Sequence, residues 1–203
     1  MWSRLMAGCV LAAGLASVAQ ARTPGTLDAA LVKAATEAKG VSKIKVFTRP
    51  DGTVRKFSVY HTDADAVPAA VKAAAAKAFP QSTPKSYESE LYVDLGEVYE
   101  VEVKTTEGKE VEYAGRPDGT LIYIESALTE AEVPAPVKAA ALARVPGGKF
   151  IEAERKKGKD SEEFALKFEK DGRKHHLHLA PDGTISRHTV RIPAEFEVEL
   201  PKP

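Results

Sequence analysis

Apolar residues recur along this chain in two rhythms, and the switch between them marks its elements. Tyr99, Val101 and Val103 alternate with Glu100, Glu102 and Lys104, and Val111 and Tyr113 alternate with Glu110 and Glu112. A period of two predicts strands with one buried face. Phe164 to Phe168 and His175 to Leu179 predict two more, and Ser86 to Tyr92 and Lys149 to Arg155 predict weaker ones. Elsewhere the period lengthens. Val71, Ala75, Ala78 and Phe79 share one helical face, as do Val137, Ala141 and Val145. Pro68 and Pro134 fall in the first turns of these helices, where a missing N–H is tolerated. The alanine-rich runs that follow carry almost no propensity penalty, and Pro80 and Pro146 end them. A third helix is expected from Leu27 to Lys39, closed by Gly40.

These elements repeat. Pro-Asp-Gly-Thr occurs at residues 50, 117 and 181, so the copies are 67 and 64 residues apart. Val67-Pro68-Ala69-Ala70-Val71-Lys72-Ala73-Ala74 returns as Val133-Pro134-Ala135-Pro136-Val137-Lys138-Ala139-Ala140, an offset of 66. Two markers at one period indicate tandem units. Pro, Asp and then Gly suits a turn whose last residue takes positive φ. The expected fold class is α+β: tandem repeats of one helix packed on a four-stranded antiparallel sheet. The first repeat is truncated to a helix plus a hairpin, as terminal repeats often are. The expected units are residues 22–62, 63–128 and 129–203, after a leader of residues 1–21.

That leader changes the picture of where the chain works. Arg4 precedes an apolar run from Leu5 to Val18, and Ala19-Gln20-Ala21 supplies small-x-small. This is the pattern of a cleaved signal peptide, with Arg22 as the new N-terminus and the periplasm or the medium as destination. The run is too short for a retained membrane anchor. Cys9, the only cysteine, would leave with the leader, removing thiol chemistry and disulfides from the mature chain. Lys plus Arg (29) balances Asp plus Glu (29). No long-range field therefore recruits nucleic acid or an anionic membrane.

The Val-Pro-x-x-Val-Lys-Ala-Ala segments, Tyr99 to Val103, Glu107-Gly108-Lys109-Glu110-Val111-Glu112-Tyr113 and Pro117-Asp118-Gly119-Thr120-Leu121 together resemble the PepSY-like repeat. That group is related to the β-lactamase-inhibitor-protein fold. The resemblance spans residues 67 to 192 well and residues 27 to 60 in part. It implies an exported, non-catalytic module that binds or inhibits other proteins, with no catalytic residue and no cofactor to carry over.

Candidate chemistry is sparse. No nucleophile elbow, His-Glu-x-x-His, phosphate loop or dinucleotide fingerprint is present. His176, His178 and His188 would share one face if the Pro181-Asp182-Gly183 loop sets Ala180 opposite Thr184, and three imidazoles so placed suit Zn²⁺ or Cu²⁺. A one-residue change of register sets His178 opposite Arg187 instead and disperses them. Glu100, Glu102, Glu110 and Glu112 read as solvated strand residues without the desolvation that acid–base chemistry needs. Arg155 to Lys159 reads as a solvated basic hairpin loop. Tyr87, Tyr92, Tyr113 and Tyr123 are candidate anchors for a partner surface, with a core role for Tyr113 and Tyr123 as the alternative. The function expected is binding of an unidentified protein or peptide of the cell envelope on an open sheet face. Metal binding by the last repeat's histidines is the alternative. Expressed with its leader in a Gram-negative host, the chain should yield a periplasmic product whose intact mass begins at Arg22. A product beginning at Met1 would end the export reading.

Overall fold

The computed structural model describes Lys33 and residues 40–194. The leader, the rest of the helix expected from Leu27 to Lys39, and the last nine residues lie outside the described residues. Ten strands follow one another: β1 (Val41–Thr48), β2 (Val54–His61), β3 (Thr83–Tyr92), β4 (Gly96–Lys104), β5 (Glu110–Gly115), β6 (Leu121–Leu128), β7 (Lys149–Gly158), β8 (Glu162–Lys170), β9 (Arg173–Leu179) and β10 (Ile185–Arg191). Two helices interrupt them, α1 (Ala69–Ala78) after β2 and α2 (Ala135–Arg144) after β6.

Every strand pairs antiparallel with its neighbours in sequence, in the order β1 to β10. The expected fold class is therefore corrected. The strands do not form separate four-stranded sheets each carrying a helix; they form one continuous sheet that curls into a half-barrel. Pairing of β2 with β3 and of β6 with β7 carries the ladder across the points where one repeat was expected to end. A helix between two strands does not require a new sheet, because the chain can return to the free edge that it left.

Both helices lie on one face of the sheet. Val71 and Ala75 of α1 pack on Val101, Val103, Val111 and Tyr113. Val137 and Ala141 of α2 pack on Phe164, Leu166, Phe168, Leu177 and Leu179. Small residues four apart let each helix approach the strands closely. Short 3-10 turns lead into the helices, the second closed by a capping box in which Glu132 accepts from the Thr129 backbone N–H at 2.7 Å and its hydroxyl at 2.8 Å.

The two sequence markers meet in space. Arg116 N–H donates to Thr120 O at 2.9 Å and Gly119 N–H to Arg116 O at 2.8 Å, and the same pair of bonds closes the Ala180–Thr184 turn. Gly119 has φ +85° and Gly183 has φ +88°. Each turn is tucked against the start of a helix. A Cβ on Gly119 would stand 2.8 Å from Ala70 O, and one on Gly183 would stand 2.7 Å from Pro136 O. Gly108, at φ +81°, has nothing nearer than Lys104 Cε at 3.9 Å. Replacing Gly119 with Ala should therefore cost more than the roughly 1–3 kcal/mol of backbone strain expected for Gly108→Ala, because only the first also displaces a helix. Urea unfolding of the two variants checks this, and equal losses would show that the turn–helix contact is loose.

Candidate functional site

Beyond the register shifts in β3 and β7, period two puts the even-numbered residues of β3, β4 and β7 from Ser86 and Glu152 onward on the face opposite the helices, and the curl turns that face inward. Tyr60 pairs with Glu88, Ser58 with Glu90 and Lys56 with Tyr92. Glu88 pairs with Glu100, Glu112 with Glu125, and Glu125 with Lys156. Glu154 stands beside Ala165, and Lys167 links Glu152 to His176. Small residues, Ala114 and Ala165, leave room for these side chains to converge.

Convergence desolvates them, and neither α1 nor α2 packs over them. Glu90 is 3% exposed and Glu100 5%, and Ser58 is fully buried. The Lys56 ammonium contacts Glu90, whose Oε1 also accepts from Ser58 Oγ at 2.8 Å. Lys56 lies over the rings of Phe47 and Tyr92, each centroid 4.7 Å away. Lys156 pairs with Glu125 and lies over Tyr123, whose hydroxyl donates to Glu100. Lys167 pairs with Glu152 and, at 3.0 Å, with Glu154. Charges also act across the hollow. Lys45 on β1 is destabilised chiefly by burial and further by Lys167 on β8 and Arg191 on β10.

The floor holds six carboxyls (Glu88, Glu90, Glu100, Glu112, Glu125, Glu154) against four lysines (Lys45, Lys56, Lys156, Lys167). The carboxyls divide accordingly. Burial acts to raise Glu90 and Glu125, but Lys56 and Lys156 outweigh it and hold both below the usual carboxylate range. Burial and neighbouring carboxylates push Glu88 up to about 7 and Glu112 and Glu154 up to about 8, and raise Glu100 well above its ordinary value.

The three histidines do not come together. The Ala180–Thr184 turn has the expected bonds, but the ladder shifts between Ile185 and Arg187. Beyond that shift His188 pairs with Leu177 and His178 with Arg187. His188 thus faces the helix side, where its Nδ1 accepts from Arg144 Nε at 3.1 Å. Its Nε2 then carries the proton and donates to His175 Nδ1 at 3.0 Å, so both its nitrogens are engaged. His176 and His178 line the hollow, with His178 bonded to Glu163 at 2.7 Å.

The tyrosines are divided as well. Tyr92 and Tyr123 belong to the hollow, whereas Tyr113 sits in the helix-packed core with its hydroxyl on Gly119 O at 2.8 Å. Tyr87 packs beside that core. Glu100 and Glu112, expected to be solvated, are desolvated, and Lys156, expected in a loop, lies in a strand inside the hollow. Lys56, Glu88, Glu90, Glu125 and Glu154 went unread. Their signal is there to find: opposite charges fill the polar positions of successive strands, with alanines among them.

No protein-family model matches the sequence, and no curated protein matches it. The PepSY-like resemblance rests on the motifs alone. In structure the chain is similar to a BLIP-like protein from Bacteroides fragilis, at 18% identity and TM-score 0.49, over 68% of this chain and 98% of that one. It is similar to a DUF2874 family protein from Bacteroides uniformis, at 18% identity and TM-score 0.49, over 61% and 89% of the two chains. It also resembles a candidate periplasmic protein from Bacteroides eggerthii, with 18% identity and TM-score 0.49 over 61% and 88%. No helix among the described residues is long and apolar enough to cross a membrane.

The divided carboxyls dictate a pH response. Glu112 and Glu154 keep protons in the folded state that the unfolded chain has released above about 4.5, so folding weakens as pH rises from there to about 8. Glu90 and Glu125 act the other way, and their contribution is lost as pH falls below the unfolded value. Urea midpoints should therefore peak at mildly acidic pH and decline toward pH ~8, and Glu154→Gln should flatten that decline. A midpoint rising steadily to pH ~8 would contradict the buried, protonated carboxyls.

Proposed function

We propose that the chain is an exported, non-catalytic binding module that seats a protein or peptide segment in the hollow of its half-barrel. The observation that carries this is the sidedness of the sheet. Both helices occupy one face, and the other is concave, is packed by neither of them and is lined with charged and aromatic groups. Antiparallel sheets tolerate one open face, and tyrosines beside paired charges suit recognition of a polar segment. The carboxyl excess favours a segment that brings positive charge. At one end of the hollow the β3–β4 hairpin exposes Val93 (54%) and Leu95 (48%), which supply apolar contact at the rim. The export signal and the PepSY-like motifs are in keeping with this role in the cell envelope. Nucleic acid and stable membrane insertion have no place in it.

The test compares the two faces. Full chain carrying Val93→Asp with Glu152→Lys, both at exposed rim positions, should lose capture of its partner from periplasmic extract by at least about tenfold, the loss of one or two anchor contacts. Leu142→Asp, on the outer side of α2, should retain it. Capture that survives the rim variant and fails with Leu142→Asp would move the binding surface to the helix side.

A further inference from the structure

We propose that Glu88, Glu90 and Glu100 hold one hard divalent cation of the Ca²⁺ class on the floor of the hollow. One oxygen from each carboxylate lies within 4.8 Å of the other two. Three atoms so spaced always share a centre no more than about 2.8 Å from each, close to the 2.3–2.6 Å of Ca²⁺–oxygen bonds, so little adjustment is needed. An all-oxygen set selects Ca²⁺, Mg²⁺ or Mn²⁺ over Zn²⁺ or Cu²⁺. Its separation from His176, His178 and His188 makes this a different site from the one the histidines suggested.

A second observation points to a ligand. Glu90 is 3% exposed, its Oε1 is taken by Lys56 and Ser58, and its Oε2 is buried with no hydrogen-bond partner. A buried carboxylate oxygen without a partner is costly, and a cation between Glu88, Glu90 and Glu100 would meet that need.

This inference is independent of the peptide reading, because it concerns the isolated chain alone. Calorimetry on the chelator-treated full chain at fixed pH, with CaCl₂ and MnCl₂ as titrants, should give a one-to-one isotherm and a raised unfolding temperature. Glu88→Gln and Glu100→Gln preserve side-chain shape, and each should weaken binding at least tenfold while far-UV circular dichroism confirms folding. Glu102→Gln, a neighbour outside the three, should bind like wild type. Tb³⁺, a Ca²⁺ surrogate, should show tyrosine-sensitised emission from the adjacent Tyr123, displaced by Ca²⁺. Absence of saturable heat and of any thermal shift up to about 10 mM of either metal would overturn the proposal, since even weak extracellular Ca²⁺ sites fill below that. Equal binding by both Gln variants would overturn it too.

Discussion

Lys56 and Lys156 each hold a carboxylate inside a curl that would otherwise exclude charge, Glu90 for the first and Glu125 for the second. An ionised group left alone in such a place costs several kcal/mol, so the inner face has to be paired to exist. The pairing joins distant parts of the sequence: Lys56 reaches from β2 to β3, and Lys156 from β7 to β6. Tyr92 and Tyr123 complete it by laying aromatic faces against the ammonium groups. The helix side obeys simpler physics. Valine, alanine, leucine and phenylalanine fill it, and shape alone selects the packing.

The sheet thus has two interiors, one apolar and one polar, separated by a single layer of backbone. The apolar one anchors the fold. The polar one ties stability to proton occupancy, because six carboxyls compete for four ammonium partners. Concavity supplies the desolvation that a covering helix supplies on the other side.

What the sequence discloses follows from this. Turns were legible because Pro-Asp-Gly permits few backbone paths, and Gly119 and Gly183 do adopt positive φ. Strands were legible because their period is two. The curl was not, since alternation separates two faces without saying which one closes on itself. Glu100 and Glu112 therefore looked solvated, and Lys156 looked like part of a loop. The irregularity between Ile185 and Arg187 was equally hidden, and one extra residue there carried His188 to the helix side. Nor does a repeat of roughly 66 residues reveal whether each unit keeps its own sheet. Edge strands decide that, and an edge has no sequence motif.

Those edges remain at the two ends of the sheet. Among the described residues β1 and β10 each pair with a strand on one side only. Such edges ordinarily invite a sheet to close on itself or to recruit another copy, and charge at the edge is a common safeguard. Lys45 lies on the first edge and Arg191 on the last, and the two repel one another across the hollow. A β1 edge approaching a β10 edge, from the same molecule or the next, brings like charges together. Like charge on the two edges disfavours both closure of the half-barrel and growth from edge to edge.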